Sequence, residues 1–334
     1  MNFKPVFAFG VAALLGACGG GGGDGGTSTS PATVKFDAGN YVAASKEAFS
    51  GVNTINSLGS TTLGAASVPT DFMVKLATRK ALQEITKKRP NRSNLLSGIV
   101  EEYSEACTGG GAFTVVESDK DGDYDTVDPG DYVKLTYKAC KETIGTMTVT
   151  LNGEMTVTMV SYKESGTNES GTVDIAMKSL SFASTLQSGS LDGTLRTSFE
   201  YTGSSDETRL EMAVVNGLVA KIKLASAAEK TWTYSNGFSI KGMVSDSLTT
   251  AEASGKAANA ELGTGTITYS TPTPIRIVNN SQFPVAGVMM LKAEAGGTTR
   301  IEAAGVNAKV SLDQNDDGTF ETSTLVPWSE ILNR

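Results

Sequence analysis

Met147-Thr148-Val149-Thr150-Leu151-Asn152-Gly153-Glu154-Met155-Thr156-Val157-Thr158-Met159 alternates apolar and polar side chains with a period of two. A β-strand sends successive side chains to opposite faces, so this pattern predicts strands that each bury one side. Asn152-Gly153 at its centre reads as a two-residue hairpin turn, since both residues tolerate positive φ. A continuous strand bulged at Gly153 is the competing local reading.

The same period extends outward over most of the chain. Phe113–Val116 and Tyr132–Tyr137 read as strands, as do 172–183, 191–202, 207–214, 217–225, 230–235 and 238–248. Further runs follow at 264–270, 274–279, 286–294, 298–303, 306–312 and 319–326, with Asp192-Gly193, Asn216-Gly217 and Asn236-Gly237 as punctuation. Such spacing predicts a mainly β fold, an antiparallel meander forming a curved sheet, sandwich or open barrel. Residues 250–262 are alanine-rich, and composition leaves open a short helix or an ordered loop.

Before the strands the period is helical. Residues 40–58 place Tyr41, Ala48, Phe49, Val52 and Ile55 on one side, with Asn40 as the expected cap. Residues 69–89 open on Pro69, carry Phe72, Met73, Leu76, Leu82 and Ile85, and end in Lys87-Lys88-Arg89 before Pro90. The expectation is two N-terminal helices packed on the sheet, covering apolar surface and edges. The chain thus divides into 1–17, 18–33, a helical region 34–106, a module 107–140 and a β domain 141–334.

Residues 1–17 hold Lys4 and an apolar run from Val6 to Leu15, too short to span a bilayer as a mature helix and followed by small residues. This is the pattern of an export signal. Leu15-Gly16-Ala17-Cys18 resembles the lipobox of bacterial lipoproteins, which implies cleavage before Cys18 and acylation of its thiol and new amine. Gly19, by that family's sorting pattern, implies a lipid-anchored protein of the outer membrane, with its domain in the periplasm or at the cell surface. Residues 19–33, GGGGGDGGTSTSPAT, lack the apolar content to bury anything and read as a tether. A coil of that length holds the domain on the order of 20 Å from the bilayer.

The chain carries a net charge of −8, and loss of residues 1–17 removes only Lys4, giving −9. That excludes nucleic acid as the expected partner and leaves the acyl chains as the expected membrane contact. Histidine is absent. Its absence excludes Ser-His-Asp and Cys-His nucleophiles, imidazole zinc sites and His general bases. With Cys18 acylated, Cys107 and Cys140 remain, and in an oxidising compartment they should pair.

Two acidic segments carry the candidate chemistry. Asp119, Asp121, Asp123 and Asp125 precede Asp128 and Asp131, while Asp313, Asn315, Asp317 and Glu321 surround Gly318. Both resemble the start of a calcium loop, in which carboxylates at alternate positions converge on one hard cation. The match is partial: the twelfth position counted from Asp313 is Thr324, where an EF-hand places a bidentate Glu, and no flanking helices are predicted. Hydrated hairpin turns are the plainer reading. Trp232 and Trp328 suit either core packing or stacking on a sugar. Gly109-Gly110-Gly111 reads as a tight turn beside the disulfide.

Cys107 with its glycines, the acidic loop, Gly130-Asp131, Cys140 and the Asp-rich hairpin before Trp328 together resemble a group of uncharacterised proteobacterial outer-membrane lipoproteins. The resemblance implies placement and no activity. The expected function is a membrane-anchored binding or structural module, not an enzyme, with calcium as its candidate cofactor and an unknown protein, glycan or lipid as ligand. Alternatives are a lipid carrier resembling the lipoprotein-localisation family, with methionines lining a cavity, and a carboxylate-based carbohydrate enzyme.

Overall fold

A computed structural model describes residues 32–59, 99–120, 128–144, 147–225, 227–245, 247–278, 281 and 283–332. Fifteen strands form one antiparallel sheet. They are β1 (Ile99–Ala106), β2 (Ala112–Asp119), β3 (Tyr132–Ile144), β4 (Met147–Ser165), β5 (Asn168–Ala183), β6 (Gln187–Thr202), β7 (Glu207–Leu224) and β8 (Glu229–Tyr234). After them come β9 (Ser239–Val244), β10 (Leu248–Asn259), β11 (Ile267–Val278), β12 (Ala286–Ala293), β13 (Thr298–Ala304), β14 (Asn307–Asp313) and β15 (Thr322–Pro327). Each strand lies beside its neighbour in sequence except around β9, which pairs with β7 and β10. The meander runs from β1 at one edge to β15 at the other.

The Asx-Gly pairs do not all turn the chain. Asn152-Gly153 lies inside the nineteen residues of β4, Asp192-Gly193 inside β6 and Asn216-Gly217 inside β7. The bulge reading therefore replaces the hairpin, for a physical reason visible in the side chains. Asn152 Oδ1 accepts the N–H of Ala139 on β3 at 2.8 Å, and Asp192 Oδ2 accepts that of Ser179 on β5 at 2.8 Å. Ala139 and Ser179 sit at φ 48° and 49°, opposite Gly153 at 99° and Gly193 at 129°. An extra residue is thus absorbed at each point while the ladder continues. Space is as decisive as φ here: a Cβ on Gly193 would stand 1.7 Å from the Gly217 carbonyl oxygen.

The row of bulges reaches Asn236, whose Oδ1 accepts the Gly217 N–H at 2.6 Å. There β8 stops and β9 begins, but the chain does not fold back. β8 pairs with Leu218–Lys223 and β9 with Thr208–Ala213 of the same β7, so the two are halves of one interrupted strand. Every strand from β3 to β7 thus carries a register shift near the same level, the kind of feature that bends a strand and increases its twist.

One face of the sheet is buried along a single hydrophobic cluster that includes Val115, Leu135, Leu151, Val157, Leu218, Leu291 and Val310. α1 (Tyr41–Gly59) packs its stripe of Tyr41, Ala44, Ala48, Phe49 and Val52 into the same cluster. Tyr269 and Tyr234 donate their hydroxyls to the Ala48 and Gly51 carbonyls at 3.1 and 2.8 Å, fixing the helix over the C-terminal strands. Trp232 and Trp328 are both buried, which makes them core residues.

Several expectations are corrected. A pair of N-terminal helices is not borne out: α1 is present, the segment 69–89 lies outside the described residues, and the other described helix is the single turn α2 (Trp328–Ile331). Residues 99–106, placed in the helical region, form β1, where pairing with β2 outweighs the helix propensity of its glutamates. Most of the alanine-rich stretch belongs to β10, with Ala253 and Ala257 facing the core beside the larger rings of Tyr234, Phe238 and Tyr269. Asn40 turns backward, accepting the Asp37 N–H at 3.0 Å and donating to the Lys35 carbonyl, and does not cap α1 forward.

Candidate functional site

The Asp313 segment is the turn between β14 and β15. Asp313 is 3% exposed, because its side chain serves the loop's own backbone. Its Oδ2 accepts the Gly318 N–H at 2.8 Å and its Oδ1 that of Asp317 at 3.2 Å. Asn315 Oδ1 also accepts from Asp317 N–H at 3.2 Å, while its Nδ2 donates to Asp317 Oδ2 at 3.1 Å. Glu321 Oε2 accepts the Gln314 N–H at 3.1 Å. The turn closes through Asp316 and Gly318, both at positive φ.

Carboxylate oxygens of Asp313, Asp317 and Glu321 lie within 4.8 Å of one another. Four of the residues singled out from sequence are therefore brought together, with Asn315 bonded to Asp317. A hard cation would find three carboxylates and an amide oxygen, a partial set against the six to eight oxygens calcium takes. Thr324 adds nothing, since it stands within β15 with its Oγ1 2.7 Å from the Tyr41 hydroxyl. Backbone N–H donation from Thr319 holds the Asp317 carboxyl below the usual carboxylate range.

Asp316, which the sequence pattern passes over, faces the other way. It accepts from Thr298 Oγ1 at 2.6 Å and pairs with Lys292 at 3.4 Å. Burial pushes its carboxyl up, but those donors and the Lys292 charge outweigh burial and leave it depressed.

Asp119 is the last residue of β2 and is buried. Asp121, Asp123 and Asp125 lie outside the described residues. Asp131 accepts the Lys120 N–H at 3.0 Å and the Asp128 N–H at 2.7 Å. The antiparallel registers place Asp119 and Asp313 at opposite ends of the strands, so the two acidic segments do not meet through these residues.

Cys107 and Cys140 are joined, with Cα atoms 5.4 Å apart. The bond ties the β1–β2 turn to β3, and Gly109-Gly110-Gly111 fits beneath it: Gly109 N–H donates to the Lys141 carbonyl and Lys141 N–H to that of Gly110. A Cβ on Gly111 would lie 2.0 Å from the Ala139 carbonyl oxygen.

A further polar group escapes the sequence reading. Glu47 of α1 pairs with Lys230 of β8 and accepts from Asn259 Nδ2 at 3.0 Å, at sequence separations of 183 and 212. Glu261 approaches the same Lys230 at 3.9 Å. Glu47 and Glu261 line an open cleft of about 330 Å³ together with Val34, Lys35, Asn40, Ala44 and Leu262. Its only trace in the sequence is a glutamate between the apolar positions of α1. No known protein family matches the chain, and neither a curated protein nor a solved structure does.

Proposed function

We propose that the protein is an acylated envelope lipoprotein whose curved sheet serves as a binding or structural scaffold, held to the outer membrane through Cys18. The observation that carries this reading is the Cys107–Cys140 disulfide, because such bonds persist in oxidising compartments and are rare in the cytosol. It accounts for two of the three cysteines and leaves Cys18, at the end of the lipobox-like Leu15-Gly16-Ala17, free for acylation. Loops at the two ends of a rigid sheet are the natural recognition surface.

The methionines Met155, Met159, Met177, Met212 and Met289 belong to the packed core, which favours the scaffold over the carrier. Radiolabelled palmitate supplied to cells expressing the full chain is expected to enter the wild type and not Cys18→Ala, whose domain should move to the soluble fraction. Label retained in Cys18→Ala would overturn the lipoprotein assignment.

In the same reading calcium orders the Asp313 turn through Asp313, Asn315, Asp317 and Glu321. A melt in EDTA and then in millimolar calcium should rise by several degrees and lose that rise in Asp317→Ala, by mass action on the folded state. A flat response would reduce the segment to a self-satisfied turn.

A further inference from the structure

Exposed aliphatic side chains occur at both ends of the sheet. At one end the β5–β6 and β7–β8 turns lie side by side, joined by the Ala225 N–H to the Leu186 carbonyl at 2.8 Å. Leu186 is 63% exposed and Leu224 50%, with exposed Ala225, Ala227 and Ala228 beside them. At the other end Val306, in the β13–β14 turn, is 69% exposed, with Val278 and Val285 nearby on β11 and before β12. Exposure alone cannot choose between these two ends.

The route of the N-terminal segment does. Residues 32–36 run across the turns of the Leu186 end: Val34 N–H donates to the Thr264 carbonyl, Thr264 N–H to that of Ala32, Ala295 N–H to that of Val34, and Phe36 N–H to that of Gly296. Those turns join β10 to β11 and β12 to β13, and the registers put them at the same strand ends as Leu186 and Leu224. Residue 18 precedes Ala32 by 32 − 18 = 14 positions. Fourteen residues reach ~50 Å when fully extended and ~20 Å as a coil.

Resting on the lipoprotein reading, we infer that this end of the sheet faces the anchoring bilayer and that the Leu186 and Leu224 tips enter its interfacial layer. Each tip is short and carries an exposed leucine with no carboxylate in the turn itself, and Lys221 and Lys223 stand exposed on β7 beside Leu224 to meet lipid phosphates, with exposed Glu229 opposite Lys223 on β8. The Asp313 turn lies at this end too, but between β14 and β15, on the far side of the N-terminal segment from the tips. The carboxylates of that turn therefore do not crowd the lysines, and the acidic residue beside them is Glu229, opposite Lys223. The domain would be tilted against the surface, with the apolar tips lowered and the acidic turn raised.

The test uses the full acylated chain in vesicles of phosphatidylcholine with a quarter phosphatidylglycerol. Leu186→Cys and Val306→Cys are each labelled with an environment-sensitive fluorophore; Cys18 is blocked by its lipid and the native disulfide holds the other two thiols. Emission should rise several-fold on vesicle binding at position 186, stay unchanged at 306, and fall back at 186 when Leu224→Ser is added. If the protein floats with vesicles but neither position brightens, or 306 brightens, the orientation is overturned while the anchor stands. If wild type and Cys18→Ala both fail to float, the anchor itself is refuted and the inference with it.

Discussion

Gly51→Ala tests how α1 is seated. In an exposed helix interior the change should stabilise by about 1 kcal/mol, through helix propensity and a stiffer unfolded chain. Here the added Cβ would meet Trp232 Cη2 and Cζ3 at 2.9 Å and Cε3 at 3.0 Å. Carbon atoms settle at ~3.5–4.0 Å, so the helix or the indole must move by more than half an ångström. Trp232 is 1% exposed and stacked on Tyr234 with centroids 6.1 Å apart, and Tyr234 is itself bonded to the Gly51 carbonyl. Neither partner can yield cheaply.

Overpacking of this kind costs roughly 1–3 kcal/mol, and stretching the tyrosine bond adds ~1. The clash therefore outweighs the propensity gain, and the net loss should be ~1–3 kcal/mol. In a Trp232→Phe background the smaller ring withdraws and the sign should reverse, a coupling of ~2–4 kcal/mol in a double-mutant cycle. Urea titration followed by Trp328 fluorescence reads all four proteins, since that indole is present in each. A Gly51→Ala protein more stable than wild type, or an equal effect in both backgrounds, would refute the account of the interface.

Reducing the disulfide, or replacing both cysteines by serine, frees a loop of 33 residues and should lower stability by roughly 3–4 kcal/mol; an unchanged urea midpoint would show that the denatured chain is already constrained there. Asp192→Ala leaves the Ser179 N–H without its acceptor and should cost ~1 kcal/mol, whereas Asp192→Asn should cost little. Equal losses for both would mean that the charge, and not the acceptor, supports the bulge. Glu294 accepts the Thr266 N–H at 2.7 Å and its hydroxyl at 2.9 Å, and these bonds hold its carboxyl below the usual range. A depressed folded-state value gives stability that is complete above the ordinary carboxylate range and is lost as pH falls through the folded value. Carboxyl NMR titration should place the Glu294 midpoint below that of a model glutamate, and a midpoint at or above it would contradict the bonding.

The period-two pattern made the sheet legible, because burial on one face imprints alternation on most of the strands. Strand limits were less legible. Asn152-Gly153 and Asp192-Gly193 are written alike for a turn and a bulge, and only the neighbouring strand's N–H decides between them. β10 was obscured because alanine is small enough for a crowded core and carries little strand signature. The Asp313 turn was legible as a cluster, since its members are close in sequence. Glu47, Lys230 and Asn259 were not, being brought together only by the docking of α1 across some two hundred residues.

The meander also imposes an order on assembly. Nearly every strand finds its partner a short loop away, so hairpins can close one after another at small entropic cost. α1 is the exception: Ser45 meets Thr299 and Tyr41 meets Thr324, at separations of 254 and 283 residues. The helix that leads the domain must wait for strands that come at its end. A chain passing through a membrane N-terminus first would hold an apolar helix without its seat until the last hairpin emerged, and the folded state would be sealed by its earliest part.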